Sequence, residues 1–214
     1  MPAVIAAALT AAVGGQACGG GPEPSPGVPP AAAAELEAIY RARVDSALAR
    51  YTEADARFMT GMIHHHAQAL EMAALAPARA ASPDVRRLAP RIQTGQEAEI
   101  ALMRRWLEDR GLPAPEPAAA GAAGHDLHAP GMLTPEQMQE LERATGRNFD
   151  RLFLIYMIQH HEGAVARVEQ LFATPGAARD ASTFRIASGV QVDQRTEIAR
   201  MEAMLEGLEP RPAR

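Results

Sequence analysis

An internal repeat constrains the fold of this chain more than any other feature. The segment MIHHHAQA at residues 62–69 recurs as MIQHHEGA at residues 157–164, an offset of 95 residues. A second pair follows, IQTGQEAEIALMRRWL at residues 92–107 and VQVDQRTEIARMEAML at residues 190–205, with Gln, Gln, Glu, Ile, Ala, Met and Leu at equal spacing. Self-similarity at a nearly fixed offset means that one structural unit is used twice. We therefore expect two copies of a histidine-bearing segment followed by a Gln/Glu/Met-bearing segment.

The composition indicates that both segments are helical. Hydrophobic residues make up 47% of the chain, yet aromatic residues make up only 4%, and much of the remainder is alanine. Sheets favour valine, isoleucine and aromatic residues, whereas alanine, leucine and methionine favour helices. The sequence therefore predicts an all-α fold with a core of aliphatic and methionine side chains.

Capping residues and prolines mark the ends of the predicted helices. Thr52, with Asp55 three residues later, predicts a capping box that opens a helix ending near residue 76, before Pro77. Ser82 before a first-turn proline opens the next helix, which ends near residue 111, and Pro90 predicts a kink or break inside it. The second half predicts helices over about 148–174 and 180–206. Shorter helices are predicted over 134–146, opened by the cap Thr134 and a first-turn proline, and over 32–50.

These helices predict a four-helix bundle made of two repeated hairpins, because short connections join antiparallel neighbours. At 214 residues, one compact domain with tails is expected. The expected organisation is a leader and flexible tether (1–30), an N-terminal helix (31–51), a first helical hairpin (52–111), a Pro/Gly/Ala linker (112–133), a second hairpin (134–207) and a tail (208–214).

The first residues predict export. An apolar run over residues 3–13 has the length of a signal-peptide core and is too short to span a bilayer. The single cysteine, Cys18, follows small residues and precedes a Gly/Pro-rich stretch, as in a bacterial lipoprotein signal. We expect an exported protein, periplasmic or at the cell surface, anchored to the membrane only through lipid on Cys18. A disordered alanine-rich tail is the alternative, since the leader lacks positive charge.

Charge and motif content exclude several classes of function. The net charge is −5, and the basic residues, all arginine, form no block that would suit nucleic acid. The sequence contains no Glu-x-x-His of di-iron bundles, no His-Glu-x-x-His, no phosphate-binding glycine loop and no Gly-x-Ser-x-Gly turn. We therefore expect a protein that is not an enzyme.

The helical spacing places the repeated polar residues on matching faces. Residues at i, i+4, i+7 and i+11 share one stripe of a helix. This stripe contains Asp55, Met59, Met62 and His66 in the first half, and Asp150, Leu154, Met157 and His161 in the second. The following helices carry Gln96, Glu99 and Met103, and Gln194, Glu197 and Met201. The two kinds of stripe are expected to face each other inside the bundle.

Paired histidines in a core have two interpretations. A buried histidine bonded to glutamate is often core architecture, and a methionine stripe is often filler. Their repetition in both halves favours ligand binding, because polar insertions in a core are costly. Imidazole nitrogen with thioether sulfur suits copper, especially Cu(I), while zinc or iron bound by imidazole remains an alternative. Carboxylates that could orient the ligating imidazoles are Asp55, Glu99, Asp150 and Glu197.

Accessory ligands are weaker candidates. The linker contains His125, Asp126, His128 and Met132, which resemble a flexible metal clasp. Further thioethers on the stripes are Met59, Met103 and Met201. His64 has no histidine counterpart, since Gln159 occupies the matching place, and it is expected to face solvent or to be an auxiliary residue.

The repeated segments, together with MLTPEQMQEL at residues 132–141, resemble the bacterial domain-of-unknown-function family 305 over about residues 52–205. The resemblance implies a ferritin-like bundle, export or membrane tethering, and in some members copper binding and copper tolerance. A copper-handling protein is expected as a partner. The ligands that it implies are Met62, His65, His66, Met157, His160 and His161. Leu154 stands where the first half has Met59, and Val168 where a methionine would extend the second motif, so equal copper affinity of the two halves is in doubt.

Three hypotheses follow for function. The first is an exported protein that binds or buffers copper through His and Met ligands. The second is a structural or interaction bundle with hydrogen-bonded core histidines. The third is a metal-dependent redox enzyme.

Overall fold

The structure is a computed structural model that describes residues 29–117 and 129–208. Apart from an isolated bridge between Ala80 and Gly146, the described residues form helices and loops, which confirms the predicted all-α class. The helices are α1 (Pro30–Leu48), α2 (Glu53–Arg79), α3 (Pro83–Glu108), α4 (Pro135–Arg143), α5 (Gly146–Ala173) and α6 (Ala181–Leu208). The described residues divide into two units, one that ends at residue 42 and one that begins at residue 43.

The second unit contains a ferritin-like four-helix bundle built from two hairpins, as predicted. Helix α2 packs along α3, and α5 packs along α6. The hairpins meet where α2 packs on α5 and α3 packs on α6, and the short α4 lies against α2 and α5. The repeat in the sequence is therefore a repeat of one helical hairpin.

The predicted caps are present. Thr52 and Asp55 form a capping box at the start of α2, and Thr134 forms another with Gln137 at the start of α4. Ser82 caps α3 ahead of the first-turn proline. These bonds satisfy backbone N–H groups that would otherwise lack partners at a helix start.

Two helices continue across prolines. Helix α2 runs through Pro77 to Arg79, so the predicted end near residue 76 was wrong. Helix α3 runs across Pro90 without a break, while a kink at that residue stays a prediction. Pro90 is exposed, as is Arg86, whose carbonyl loses its helical donor, so water can reach that carbonyl. Pro77 lies in the last turn, where only a few residues remain to be disturbed.

Two buried aspartates lock each hairpin to a loop of the other. Asp55 and Asp150 are each 1% exposed. Asp55 accepts a 2.7 Å hydrogen bond from the backbone N–H of Ala178, in the α5–α6 loop. Asp150 accepts bonds of 3.2 and 2.8 Å from the backbone N–H groups of Ala81 and Ser82, in the α2–α3 loop. The two hairpins are thus tied together reciprocally.

A layer of buried polar residues separates two hydrophobic clusters. The first cluster joins the C-terminal half of α2 to the N-terminal half of α5, and the second joins the opposite halves, so α2 and α5 run antiparallel. In each bundle helix, polar residues lie between those of the two clusters. This polar layer consists of the buried residues His65, His66, Gln68, Gln96, His160, His161 and Gln194, with the half-buried Glu99 and Glu197.

Candidate metal centre

Four histidines meet where α2 and α5 pack together. His65, His66, His160 and His161 are all buried. The ring centroids of His65 and His160 lie 3.9 Å apart, and those of neighbours within each pair lie 6.3 and 6.1 Å apart. The fold therefore brings the two copies of the His-His motif into one place.

Each hairpin supplies a carboxylate to one of its own histidines. The Nε2 atom of His66 lies 2.7 Å from a carboxylate oxygen of Glu99, and that of His161 lies 2.7 Å from one of Glu197. An imidazole N–H that donates to a carboxylate has its tautomer and orientation fixed. The facing stripes predicted this arrangement, and the part of these carboxylates in holding a metal stays a prediction.

The other two histidines donate to backbone carbonyls. His65 Nε2 lies 3.1 Å from the carbonyl oxygen of Pro130, and His160 Nε2 lies 2.9 Å from that of His65 itself. All four Nε2 atoms therefore face an oxygen that can only accept. In a neutral ring that donates through Nε2, the Nδ1 atom carries a lone pair.

The four Nδ1 atoms are buried, and no donor in residues 29–117 or 129–208 reaches them. Buried polar atoms are nearly always hydrogen-bonded, so four orphans in one layer call for an explanation. A lone pair on an oriented imidazole is what a transition metal binds. The residues present thus fit a metal ion.

Burial keeps two of the rings neutral. It lowers the pKa of His65 well below its ordinary value, and the charges of His66 and Arg167 add to this effect. Burial also lowers the pKa of His160, helped by His65 and His161. A neutral imidazole can bind a metal without first losing a proton.

Thioether sulfur flanks the polar layer on both sides. The second cluster contains Met59, Met62 and Met103, and the first contains Met72, Met157 and Met201, all fully buried. Sequence reasoning missed Met72, although it lies seven residues after His65 on the same helical stripe. With Met72, each of the two clusters contains three fully buried methionines, although the second half of the sequence is poorer in sulfur.

The remaining predicted residues are placed differently. The hydrogen bonds of Asp55 and Asp150 go to loop backbone and to Thr52, and none of them joins a histidine ring. Met132 is buried, and with the half-buried His64 and with His65 it lines a cavity of about 510 Å³. The candidate ligands His125 and His128, with Asp126, lie outside the described residues, as does Cys18.

The backbone contacts at the end of the linker are a part of the site that the sequence did not predict. Gln68 clamps Leu133 by accepting from its backbone N–H at 2.7 Å and donating to its carbonyl at 3.0 Å. Gly131 has a φ of +80° and packs on Gly163, where an added Cβ would lie 2.1 Å from the Pro130 carbonyl oxygen. These contacts place that carbonyl against His65. The repeat contained a sign of this contact, because Gln68 and Gly163 occupy matching positions and yet differ.

The described residues limit what else the site offers. In residues 29–117 and 129–208, no three His, Cys, Asp or Glu side chains are arranged to hold one metal ion together. Over the same residues, no helix combines the length and apolar character that a bilayer crossing requires.

Comparison with known proteins adds relatives. The family model described as Domain of unknown function (DUF305) matches residues 55–205. A DUF305 protein from Streptomyces coelicolor, described as a candidate secreted protein, is 28% identical with a TM-score of 0.62, covering 75% of this chain and 96% of that one. A DUF305 fragment from Deinococcus radiodurans is 33% identical with a TM-score of 0.62, covering 73% and 97%. No functionally curated protein matches the chain.

A third relative has been solved with metal. CopM in its Cu(II)-bound form is 27% identical to this chain with a TM-score of 0.59, over 72% of this chain and 97% of that one. Its Cu(I)-bound form is 27% identical with a TM-score of 0.57, over 73% and 98%.

Proposed function

This chain belongs to the DUF305 family, and we propose that it is an exported protein that binds or buffers copper through the histidines of the polar layer and adjacent methionines. The observation that carries the proposal is the set of four buried Nδ1 atoms without a hydrogen-bond partner among the described residues. Leaving such atoms unsatisfied costs free energy, which metal coordination would offset.

The proposed donor set is His65, His66, His160 and His161, with Met62 and Met157. Glu99 and Glu197 each accept an imidazole N–H bond, which suits them to orient the rings, and we propose nitrogen and thioether sulfur as the donors. This soft to borderline set favours Cu(I), and imidazole also accommodates other transition metals. The Cu(I)- and Cu(II)-bound structures of the relative CopM support copper as the ion. We propose that the protein holds the metal without using it in a reaction, so that it is non-catalytic.

Export and anchoring complete the proposal. The relative from Streptomyces coelicolor is described as a candidate secreted protein, which supports export. We propose residues 1–30 as the leader and tether, with lipid on Cys18 as the membrane anchor. An exported copper buffer would exchange its metal with a copper-handling protein and contribute to copper tolerance. We propose that the N-terminal helix and the two hairpins form the scaffold of the protein and that the linker connects the hairpins.

The test is Cu(I) stoichiometry and affinity, measured by competition with a chromophoric chelator under reducing conditions. Tight binding by the full chain is expected. Replacing His65 and His66 with alanine should lower the stoichiometry without abolishing it, because the second pair remains, and the same holds for His160 and His161. His64→Ala, in the same triplet, is the matched control and should bind as the wild type does.

Other results would redirect the proposal. Complete loss in one double variant, with an unchanged circular dichroism spectrum, would mean one joint site made by all four rings. Absence of copper uptake by the wild type would return the histidines to a structural role. Turnover in a cuprous-oxidation assay would favour a redox enzyme.

A further inference from the structure

The two copies of the repeat differ in charge at a position close to the histidines. At the 95-residue offset, the counterpart of Met72 in the first half is Arg167 in the second. Arg167 lies on α5, seven residues after His160 and therefore on the same helical stripe. A fixed cation thus occupies the stripe where the other half carries a neutral thioether.

The guanidinium of Arg167 lies against α2, in the first hairpin. A Cβ added to Gly61 of α2 would lie 2.1 Å from its Nη2 atom, so the absence of a side chain at Gly61 leaves the space that the guanidinium fills. Gly61 lies four residues, or about one helical turn, before His65. Gly61, His65 and Arg167 also line the same cavity.

The charge of Arg167 acts on His65, one histidine of the central pair. After burial and the charge of His66, the charge of Arg167 is the next cause that lowers the pKa of His65. For His160 the charged neighbours that act are His65, His161 and His66, with no arginine among them. The positive charge therefore acts on the His65 side of the layer.

We infer that Arg167 sets the charge selectivity of the metal site, disfavouring divalent ions relative to monovalent ions at His65. The inference rests on the proposed metal binding. The repulsion between a fixed unit charge and a bound ion is proportional to the charge of the ion. At one position, a divalent ion therefore incurs twice the free-energy penalty of a monovalent ion.

This proportionality gives a prediction that is independent of the distance. Neutralising Arg167 should raise the affinity for a divalent ion by the square of the factor for a monovalent ion, for example about threefold for Ag(I) and about ninefold for Cu(II). The Glu99 and Glu197 carboxylates also act on the ion, but they are unchanged in the variant. Comparing each variant with the wild type, ion by ion, also cancels the different coordination preferences of the two metals.

The experiment compares Ag(I) and Cu(II) affinities, by chelator competition, of the full chain and Arg167→Gln. Arg167→Lys keeps the charge and should restore the wild-type ratio of the two affinities. The matched control is Arg57→Gln, on the same cavity wall, whose side chain is 65% exposed and paired with Glu53. It should change neither affinity, because solvent screens an exposed charge.

A second variant tests the same charge without removing it. Gly61→Ala introduces the Cβ that displaces the guanidinium, while alanine favours the helix, so it should shift the two affinities in the same direction as Arg167→Gln. Equal factors for the two ions in folded variants, or equal effects of Arg57→Gln, would overturn the inference and leave metal binding intact. A wild type that binds neither ion would overturn both proposals.

Discussion

The two hairpins place the same His-His motif in different surroundings. In the second hairpin, His160 donates to the backbone of α2, at the carbonyl of its own counterpart His65. In the first hairpin, His65 does not return the bond to α5 and donates instead to Pro130 in the linker. The repeat therefore duplicates the ligands, and the chain that joins the copies makes them unequal.

The inequality originates in residues that differ between the copies. Gln68 holds the linker end by two backbone bonds, and its counterpart Gly163 provides the bare surface on which Gly131 lies. Glycine at both positions permits a backbone approach that any Cβ would prevent. A linker seated between the hairpins covers one histidine of the central pair and leaves the other bonded within the bundle.

Among the differences between the two hairpins, the largest effect on stability is expected from the aspartates that lock them together. Asp55 accepts three bonds, from the N–H and hydroxyl of Thr52 and the N–H of Ala178, whereas Asp150 accepts two. Removing a buried acceptor leaves its donors unsatisfied. We expect Asp55→Ala to lower the free energy of unfolding by about 3 kcal/mol and Asp150→Ala by about 2 kcal/mol, measured by urea denaturation of metal-free protein.

Asp84→Ala is the control for this pair. Its carboxylate is 67% exposed and pairs with Arg87 on the surface, so the expected loss is below about 0.5 kcal/mol. Equal losses for Asp55→Ala and Asp150→Ala would show that the number of donors does not distinguish the two locks.

A smaller difference is expected between the two carboxylates that orient imidazoles. Glu99 is 13% exposed and Glu197 is 24% exposed, so the charge of Glu99 is less screened by water. Substitution of such partners typically lowers metal affinity by about 10- to 100-fold. We expect Glu99→Gln to weaken Cu(I) binding by at least about tenfold, and more than Glu197→Gln does, in chelator competition.

Glutamine keeps an acceptor oxygen at each position, so both variants should fold, which circular dichroism can check. The exposed Glu97→Gln on α3 serves as the control with unchanged affinity. A greater loss in Glu197→Gln than in Glu99→Gln would contradict the screening argument.

The sequence predicted what helical periodicity and local capping determine. The bundle, its two hairpins and the caps at Thr52, Ser82 and Thr134 were predicted because each depends on residues within about one turn or on a stripe along one helix. The facing of Glu99 with His66, and of Glu197 with His161, follows from the same periodicity applied to both helices of a hairpin.

Contacts between distant segments were not predicted. Asp55 was interpreted as a partner for an imidazole, but it bonds Ala178, 123 residues away, and no local pattern encodes that pairing. The linker contact of Pro130 with His65 depends on a glycine in α5 and a glutamine in α2, which is a property of the packed bundle. The continuity of α3 across Pro90 depends on solvent reaching a carbonyl, which the sequence alone does not reveal.

The smallest expected difference is between the caps of the second helix in each hairpin. At the 98-residue offset that relates α3 to α6, Ser82 corresponds to Asp180. Burial would raise the pKa of Asp180, but hydrogen bonds from Ser182 and Thr183 outweigh it and lower the pKa to about 2. Its partner Arg110 donates to it at 3.2 Å. The second hairpin therefore has a cap that titrates, and the first has a neutral one.

The folded pKa of Asp180 lies below the unfolded value of about 3.9, so its stabilisation is present above about pH 4 and is lost as the pH falls toward 2. Asn also caps helices, so Asp180→Asn removes mainly the charge. We expect it to be about 1 kcal/mol less stable than wild type at pH 6, allowing for solvent screening, and the difference to vanish near pH 2 in urea denaturation. The neutral form of His65 and His160 makes both proteins less stable below about pH 6.5, but this cancels in the difference. The Ser82 cap is the comparison for this prediction. Ser82→Ala should show a loss of about 1 kcal/mol that does not change between pH 6 and 2, because a serine hydroxyl does not titrate there. A pH-dependent loss in Ser82→Ala, or a constant loss in Asp180→Asn, would contradict the expectation that the Asp180 cap titrates and the Ser82 cap does not.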